Sequence, residues 1–377
     1  MTSLPEGGLS VQIATEDEFH ALRDDWNDLL SRSASDNFFL RWEWIHTWWE
    51  IFRQERVLLV LTVRKAGRLV GIAPFYVEPA SLLGERRLRF CSDELNPDYM
   101  DVIVEKGLER PVVRDVISFI IGRAAVWDVI ALDNLLANSI LLANLNREDL
   151  PYQQGDSLAC PYLAIKGTVE EHLKARPPLR EFKIEKKLRK LFQKETVRYV
   201  LVGDLESFKK GLDDLFFLHK LRKDHVGLRT NFASLDVQRF HHKLGALCLK
   251  SGQVELRLLY DGGIPVDAHY SFRYGNKLFQ YQQGLNMAYK NFSVGAIALY
   301  LELREAFANG LSEYDMLKGD ERYKFLWTDT VRCQYWLKAY APTPRGSFCR
   351  AKDNLSAGLR RVKAALRKTP AAPSPPV

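Results

Sequence analysis

The chain is poor in cysteine, and the arrangement of its cysteines excludes several classes of protein. Only five occur in 377 residues, they are scattered, and no pair has the Cys-x-x-Cys spacing of zinc and redox sites. An odd, dispersed set does not form a disulfide framework and favours a reducing compartment such as the cytoplasm. We therefore expect neither a disulfide framework nor a bound metal.

Long hydrophobic runs are also missing. No apolar segment approaches the ~20 residues that a membrane-spanning helix needs. Residues 1–19 are polar and acidic, without the basic start and apolar stretch of a secretory signal. We expect a cytoplasmic protein and leave open a peripheral attachment to the inner membrane.

The composition that remains is that of an ordinary globular protein with one unusual segment. Hydrophobic residues make up 46% and charged residues 27%, and the length suggests two domains at roughly 150 residues each. The net charge is +7, and residues 174–198 alone hold ten basic and three acidic side chains. This basic segment is either a solvated helix face or a docking surface for a polyanion such as a phosphate-bearing substrate, an anionic lipid or RNA.

Strand and helix patterns alternate along both halves of the chain. In the second half, two amphipathic helices precede three strand patterns separated by the turns Asp261-Gly262-Gly263 and Gly275-Asn276. A helix, a strand, a short helix at 320–326 and a last strand follow. We predict an N-terminal domain, a basic helical junction, a C-terminal domain and a tail with the bounds 1–170, 171–203, 204–345 and 346–377.

The tail combines a short apolar stripe with basic residues. Leu355, Leu359, Val362 and Leu366 recur at helical spacing, and a Pro- and Ala-rich segment that we expect to be disordered follows at 370–377. The stripe would either dock on the protein or lie on an anionic membrane surface.

A glycine-containing turn precedes the long helix of the second half. Ser293, Val294, Gly295 and Ala296 lie where a helix begins, and Gly295 allows another backbone or a ligand to approach closely. Free N–H groups at a helix N-terminus form an anion site, so these four residues are candidates for holding phosphates. The alternative is a plain helix start with Ser293 as its cap.

Several motifs give the chain a family resemblance. They are Gly263-Ile264-Pro265-Val266, Phe272-Arg273-Tyr274-Gly275, Tyr281-Gln282-Gln283-Gly284-Leu285, Ser293-Val294-Gly295 and the stretch from Tyr314 to Lys324, with weaker upstream echoes at Asp98-Tyr99-Met100-Asp101 and Leu218-His219-Lys220-Leu221-Arg222. On these motifs the chain, from about residue 254 to 327, resembles the bacterial family of GNAT (N-acetyltransferase superfamily) proteins often labelled cellulose-biosynthesis acetyltransferases. It also resembles the Fem-type aminoacyltransferases, which carry two GNAT-like halves. Where the usual GNAT turn has its first glycine, this chain has Ser293.

The resemblance implies a fold, a donor and a set of site residues. The fold is α+β, with mixed α/β sheets in tandem GNAT-like domains, and the donor is acyl-CoA, in the simplest case acetyl-CoA. Tyr323 takes the place of the usual GNAT acid, with Lys324, for a phosphate or the developing negative charge, and Glu321 as further catalytic candidates. In the alternative, Tyr281 and Tyr323 only pack, and Lys324 pairs with Glu321 at i, i+3. The candidates for substrate binding are Tyr281, Gln283, His269, Asp315 and Asp320.

The implied reaction is transfer of an acyl group from acyl-CoA to an amine or hydroxyl of a saccharide or cell-envelope precursor. Two other functions stay open. One is Fem-like transfer from aminoacyl-tRNA, with the basic segment as the RNA surface, and we rank it below acyl-CoA. The other is a non-catalytic GNAT-fold scaffold of a polysaccharide-synthesis complex that uses the basic tail.

Overall fold

The computed structural model describes residues 8–80 and 84–368, apart from the side chains of 357 and 359–368. Within those residues the strands are β1 Leu9–Ile13, β2 Val57–Lys65, β3 Arg68–Glu78, β4 Arg87–Phe90, β5 Ile103–Val104, β6 Val129–Leu136, β7 Tyr152–Ala164, β8 Val197–Leu201, β9 Val254–Asp261, β10 Ile264–Tyr274, β11 Lys277–Leu285, β12 Glu313–Asp315 and β13 Val331–Tyr340. The helices are α1 Glu16–Ala21, α2 Arg23–Ser31, α3 Trp42–Phe52, α4 Glu109–Ile121, α5 Ile140–Asn144, α6 Val169–Ala175, α7 Pro177–Phe182, α8 Ile184–Phe192, α9 Leu205–His225, α10 Leu235–Cys248, α11 Val294–Ala308 and α12 Pro344–Lys368.

The strands form one continuous mixed sheet, and the predicted α+β class with mixed sheets is confirmed. Its order is β1-β2-β3-β4-β6-β13-β7-β12-β11-β10-β9-β8, with β5 paired to β3. Two neighbouring pairs are parallel, β4 with β6 in the first half and β11 with β12 in the second. The other pairs are antiparallel, and this arrangement repeats one plan in each half.

The two halves exchange strands at their junction. β13 lies between β6 and β7, so the last strand of the chain completes the sheet of the first half. The far end of β7, residues 162–164, pairs with β12 of the second half. The basic junction also ends in the sheet, because β8 pairs with β9. Strand pairing therefore crosses the domain bounds drawn from the sequence, and those bounds stay a prediction.

Aromatic side chains pack the halves against each other. Phe38 stacks on Phe272 with ring centroids 4.2 Å apart, and Trp44 makes edge contacts with Phe240 and Tyr281. All five belong to one buried cluster that contains residues of both halves. The tryptophans near residue 44 thus serve packing, as their spacing suggests.

Two helices of the second half cover opposite faces of the sheet beside β11. α9 packs on β11 and β10, and Gly284 makes the close approach possible, since a Cβ there would lie 2.6 Å from Leu218 Cβ. α11 packs on the other face in a second apolar cluster with α8. The start of α9 is fixed by Asp204, whose carboxylate accepts a hydrogen bond from Ser207 N at 2.9 Å.

The C-terminal helix α12 docks on the first half through its first turns. Asp353 pairs with Lys338, and Lys352 pairs with Glu85. Leu355 is 68% exposed, whereas Leu359, Val362 and Leu366 of the predicted stripe fall outside the described side chains, and residues 370–377 fall outside the described residues. No helix in the described part of the chain is long and apolar enough to cross a membrane.

Candidate active site

A cleft opens in the second half where two parallel strands part. β11 and β12 pair only over three residues each, from Lys277 opposite Glu313 to Phe279 opposite Asp315. Immediately beyond, Ser271 faces Gln280 and Tyr270 faces Gln282, so Tyr281 is an extra residue in a β-bulge. A bulge bends its strand and ends regular pairing. The second half of β11 therefore diverges from the chain after β12.

Five of the residues predicted from sequence meet in this cleft. It has a volume of about 140 Å³. Its walls include the predicted residues Tyr281, Gln283, Glu321, Tyr323 and Lys324. Side chains that the sequence did not single out complete it: His219, Arg222 and Lys223 of α9, Asn96 and Asp98 of the first half, and Gln280 and Gln282 of β11. The cleft is thus built from both halves of the chain.

Tyr323 and Glu321 face the cleft from the segment after β12. Tyr323 is half-buried, and burial, followed by the charge of Glu321, raises the pKa of its phenol. Burial also acts to raise the pKa of Glu321, but Lys324 outweighs it and the net pKa lies below its usual range. The predicted helix at 320–326 is wrong in extent, because only a 3-10 turn at Lys324–Leu326 forms. Asp320 is exposed and does not line the cleft.

Lys324 is buried, and its ammonium contacts backbone carbonyl groups and the carboxylate of Glu321. It is 3% exposed and donates to Lys318 O at 2.9 Å and Leu317 O at 3.2 Å, while Glu321 Oε2 lies 3.0 Å away. These contacts hold a segment in which Leu317 has a φ of 55°, a costly conformation for a leucine. Lys324 therefore shapes the cleft wall, and its role toward substrate stays a prediction.

We expect Lys324→Met to destabilise the protein. The substitution keeps the aliphatic stem but leaves two buried carbonyl groups without a donor, which costs about 1–3 kcal/mol of the free energy of unfolding. Lys209→Met, at an exposed position of α9, is the matched control and should change stability by less than about 0.5 kcal/mol. Urea denaturation measures both variants, and equal effects would contradict the structural role of Lys324.

Asp315 lies behind the cleft and lines a separate pocket of about 260 Å³. Its carboxylate accepts hydrogen bonds from Tyr99 Oη at 2.8 Å, Arg332 Nη1 at 2.8 Å and Leu317 N at 2.8 Å. Burial raises its pKa to about 7, against the effect of Arg332. Asp315 thus ties the first half to the cleft segment, and the structure does not bring it together with the five residues above.

His269 belongs to a buried polar network beneath α11. It is 1% exposed, and its Nδ1 lies 2.9 Å from Glu302 Oε2 while Asp267 Oδ1 is 3.3 Å from Nε2. Burial lowers the pKa of His269, but the two carboxylates outweigh it and the net pKa is raised. Gln283 donates to Asp267 at 2.9 Å, so this network reaches the cleft only through Gln283. His269 does not line the cleft itself.

The predicted phosphate turn lies directly beside Gln283. α11 begins at Val294, and a Cβ on Gly295 would lie 2.8 Å from Gln283 Nε2. Ser293 has a φ of 57° and makes no capping hydrogen bond, so the cap that the sequence offered as an alternative does not form. Instead Lys187 Nζ of α8 donates to Ser293 Oγ at 2.9 Å. Free N–H groups and a lysine therefore meet at this helix start, and no acidic residue lies in its first turn.

The corresponding place in the first half is closed. The parallel pair β4 and β6 is followed by chain that fills the gap, with Met100 N bonded to Asn134 O at 3.0 Å and Lys318 Nζ to Asn134 Oδ1 at 2.9 Å. The start of α4 carries Glu109, whose carboxylate accepts from Gly107 N at 2.8 Å. An anion is not favoured beside that carboxylate, so the open cleft of the second half is the better candidate site.

Three residues that sequence reasoning passed over are central to the cleft. Asp98 is 1% exposed, contacts Gln334 and lies beside Lys318, which links the first half to the segment after β12. It was visible in the sequence only within the motif 98–101. Arg222 was visible only as the end of the weaker motif 218–222, and Gln280 carried no such signal, because a glutamine in a strand is an ordinary surface pattern.

The part of the chain that builds most of the cleft is similar to a known family of domains. Residues 180–325 match the profile of the Acetyltransferase (GNAT) domain, a span that runs from α7 to the 3-10 turn before β13. The match covers less than half of the chain, and over those residues it indicates an acyltransferase domain. The narrower resemblance to the cellulose-biosynthesis family stays a prediction. No curated protein is similar enough in sequence to count as a match.

Solved structures with the same fold cover nearly the whole chain. FemX is 12% identical with a TM-score of 0.57, over 87% of this chain and 96% of FemX. The C-terminal domain of a putative lysylphosphatidylglycerol synthetase from Agrobacterium fabrum is 8% identical with a TM-score of 0.54, over 89% and 95%. A tandem GNAT protein from the clavulanic acid biosynthesis pathway is 10% identical with a TM-score of 0.50, over 89% and 100%. At these identities the likeness establishes the tandem GNAT fold alone.

Proposed function

We propose that this protein transfers an acyl group from an acyl-CoA to an amine or hydroxyl of a saccharide or cell-envelope precursor. The observation that carries the proposal is the parting of β11 and β12 into a cleft, one wall of which, Gln283, contacts Gly295 at the start of α11. A donor whose phosphates bind the N–H groups at Val294–Ala296 would extend its thioester along the diverging end of β11. Lys187 adds a positive charge at the same place.

Tyr323 is the proposed acid for the leaving thiolate. Its raised pKa keeps the phenol protonated near neutral pH, so that the proton is available when the C–S bond breaks. The acceptor would enter beside α9 and the first half. The walls there carry the amides of Asn96, Asn231 and Gln282, and amide groups suit a ligand rich in hydroxyls and amines.

Binding of an acyl-CoA tests the proposal directly. Acetyl-CoA at 100 times its dissociation constant is expected to stabilise the protein by about 2.7 kcal/mol, seen as a rise in melting temperature. Lys187→Glu should weaken this binding at least ~10-fold, since a charged hydrogen bond to phosphate is worth about 1.5–3 kcal/mol. Lys190→Glu, at an exposed position of the same helix, is the control. No shift with any CoA thioester would contradict the proposal.

Transfer from an aminoacyl-tRNA is the second candidate, and the position of the basic segment favours it. Lys187 and Lys194 of this segment sit around the start of α11, Lys194 with its ammonium 4.8 Å from the centroid of the Phe292 ring. A polyanion larger than CoA would also meet positive charge around the start of α11. Salt-sensitive binding of tRNA, in the absence of acyl-CoA binding, would favour this candidate.

Attachment to an anionic membrane surface is proposed for the tail alone. Phe348 and Leu355 of α12 are 66% and 68% exposed beside basic residues. Binding to liposomes with and without phosphatidylglycerol tests this, and it would also support a non-catalytic scaffold if no acyl-CoA bound.

A further inference from the structure

Gln280 is a buried polar side chain whose amide has no hydrogen-bond partner among the residues that the structure describes. It is 5% exposed and lines the cleft, and neither its Nε2 nor its Oε1 has a hydrogen-bond partner among the described residues. Leaving a buried amide unpaired costs free energy, and native proteins seldom tolerate it without a function. A ligand that both accepts and donates a hydrogen bond would satisfy the two atoms.

Neighbouring polar groups at this end of the cleft already form hydrogen bonds within the protein. Lys318 donates to Pro97 O at 2.6 Å and to Asn134 Oδ1, and Lys324 donates to backbone carbonyls. Asp98 accepts from Gln334, and the Tyr281 hydroxyl donates to Leu95 O. These contacts fix the walls around Gln280. The surroundings of the Gln280 amide are therefore fixed. Unlike its neighbours, this amide breaks no hydrogen bond to a described residue when it binds a ligand.

Gln280 also stands where the reacting end of the donor would lie. It is the first residue of β11 beyond the pairing with β12. From Gln280 to the strand end at Leu285, five steps of ~3.3 Å span about 17 Å, comparable to an extended pantetheine arm. This position of the donor's reacting end rests on the proposed function, which places the donor's phosphates beyond Leu285.

We propose that Gln280 binds the acyl group: its Nε2–H donates to the carbonyl oxygen of the thioester, and its Oε1 accepts from the attacking N–H or O–H. The acceptor's lone pair forms the new C–N or C–O bond while the carbonyl electron pair moves to the oxygen, which Nε2–H stabilises. Collapse of the intermediate breaks the C–S bond. Tyr323 gives its proton to the thiolate and recovers one from the acceptor, so that acyl-S-CoA and H–acceptor become acyl–acceptor and CoA-SH.

The experiment compares acetyl-CoA with CoA, which lacks the acyl carbonyl. Dissociation constants are measured by titration calorimetry on the full chain, for the wild type and for Gln280→Met, which keeps the length of the side chain. In the wild type acetyl-CoA should bind about 3–10 times more tightly than CoA, the worth of one hydrogen bond. In Gln280→Met that ratio should fall to about one with CoA affinity unchanged, and turnover should fall about 100-fold.

The possible results separate this inference from the proposed function. If neither ligand binds the wild type, the proposed function itself is wrong. If both bind and Gln280→Met keeps the wild-type ratio, or if the wild type shows no preference, only the role of Gln280 is overturned. A melting temperature of unliganded Gln280→Met well below that of the wild type would also overturn it, because a structural glutamine would have partners to lose. Gln280→Glu, of the same shape, should lose the preference for acetyl-CoA as well.

Discussion

Replacement of Glu302 by leucine is expected to lower the free energy of unfolding by about 3–5 kcal/mol. Glu302 is fully buried on α11 and accepts hydrogen bonds from Ser271, at 2.7 Å, and Tyr314, while it pairs with Arg257 at 3.2 Å and with His269 at 2.9 Å. Leucine leaves the buried Arg257 guanidinium and the His269 imidazole without this partner. Removing one member of a buried ionic group is costly because the remaining charge cannot return to water.

A neighbouring glutamate on the same helix supplies the control. Glu305 also pairs with Arg257, at 2.9 Å, but its side chain is 36% exposed. Glu305→Gln should therefore change stability by less than about 1 kcal/mol. Urea denaturation at neutral pH measures both variants. Similar losses in the free energy of unfolding of the two variants would show that the burial of Glu302 is not what makes its contacts stabilising.

Tyr323→Phe is expected to lower turnover by about 10²–10⁴-fold while leaving the affinity for acetyl-CoA unchanged. The substitution removes only the hydroxyl that would protonate the leaving thiolate. Release of free CoA thiol from acetyl-CoA, with glucosamine or N-acetylglucosamine as acceptor, measures the effect. Calorimetry of acetyl-CoA binding shows whether the variant still holds its donor.

Tyr340→Phe serves as the control for Tyr323. Tyr340 also carries a partly buried phenol, which donates to Asp353 at 2.9 Å, but it lies on β13 and does not line the cleft. Its removal should leave turnover within about twofold of the wild type because no proposed step passes through it. A Tyr323→Phe enzyme as active as Tyr340→Phe would remove Tyr323 from the mechanism.

The hairpins of the second half and the strand that opens the cleft could be predicted from the sequence. The two glycine turns fixed the hairpins β9–β10 and β10–β11, and the motif 281–285 fell on the strand that opens the cleft. Tyr281 and Gln283 lie on β11 beyond its pairing with β12, and Glu321, Tyr323 and Lys324 follow β12. Because the two strands are parallel neighbours, all five meet in one cleft.

The sequence was less informative about what each side chain does. Lys324 was a candidate for holding a phosphate or a developing negative charge, with a pair to Glu321 as the alternative. The structure has that ion pair, at 3.0 Å, and it also surrounds the ammonium with backbone carbonyls, which cannot be read from a lysine in a motif. His269 was placed in the cleft by its position on a central strand. In the structure His269 is buried against Glu302 of α11, a contact that arises from long-range packing and not from the strand pattern.

By itself the amino-acid sequence determined the kind of elements, their order and the segment that carries the chemistry, since turns, periodicity and helix starts depend on near neighbours. Only the tertiary structure decided that β13 returns to the first half and that the cleft of the first half is filled. It also decided that the Gln280 amide has no hydrogen-bond partner in the part of the chain that the structure describes. These features depend on contacts between residues far apart in the chain. Such contacts are selected by the burial of apolar surface and the pairing of buried polar groups over the whole fold.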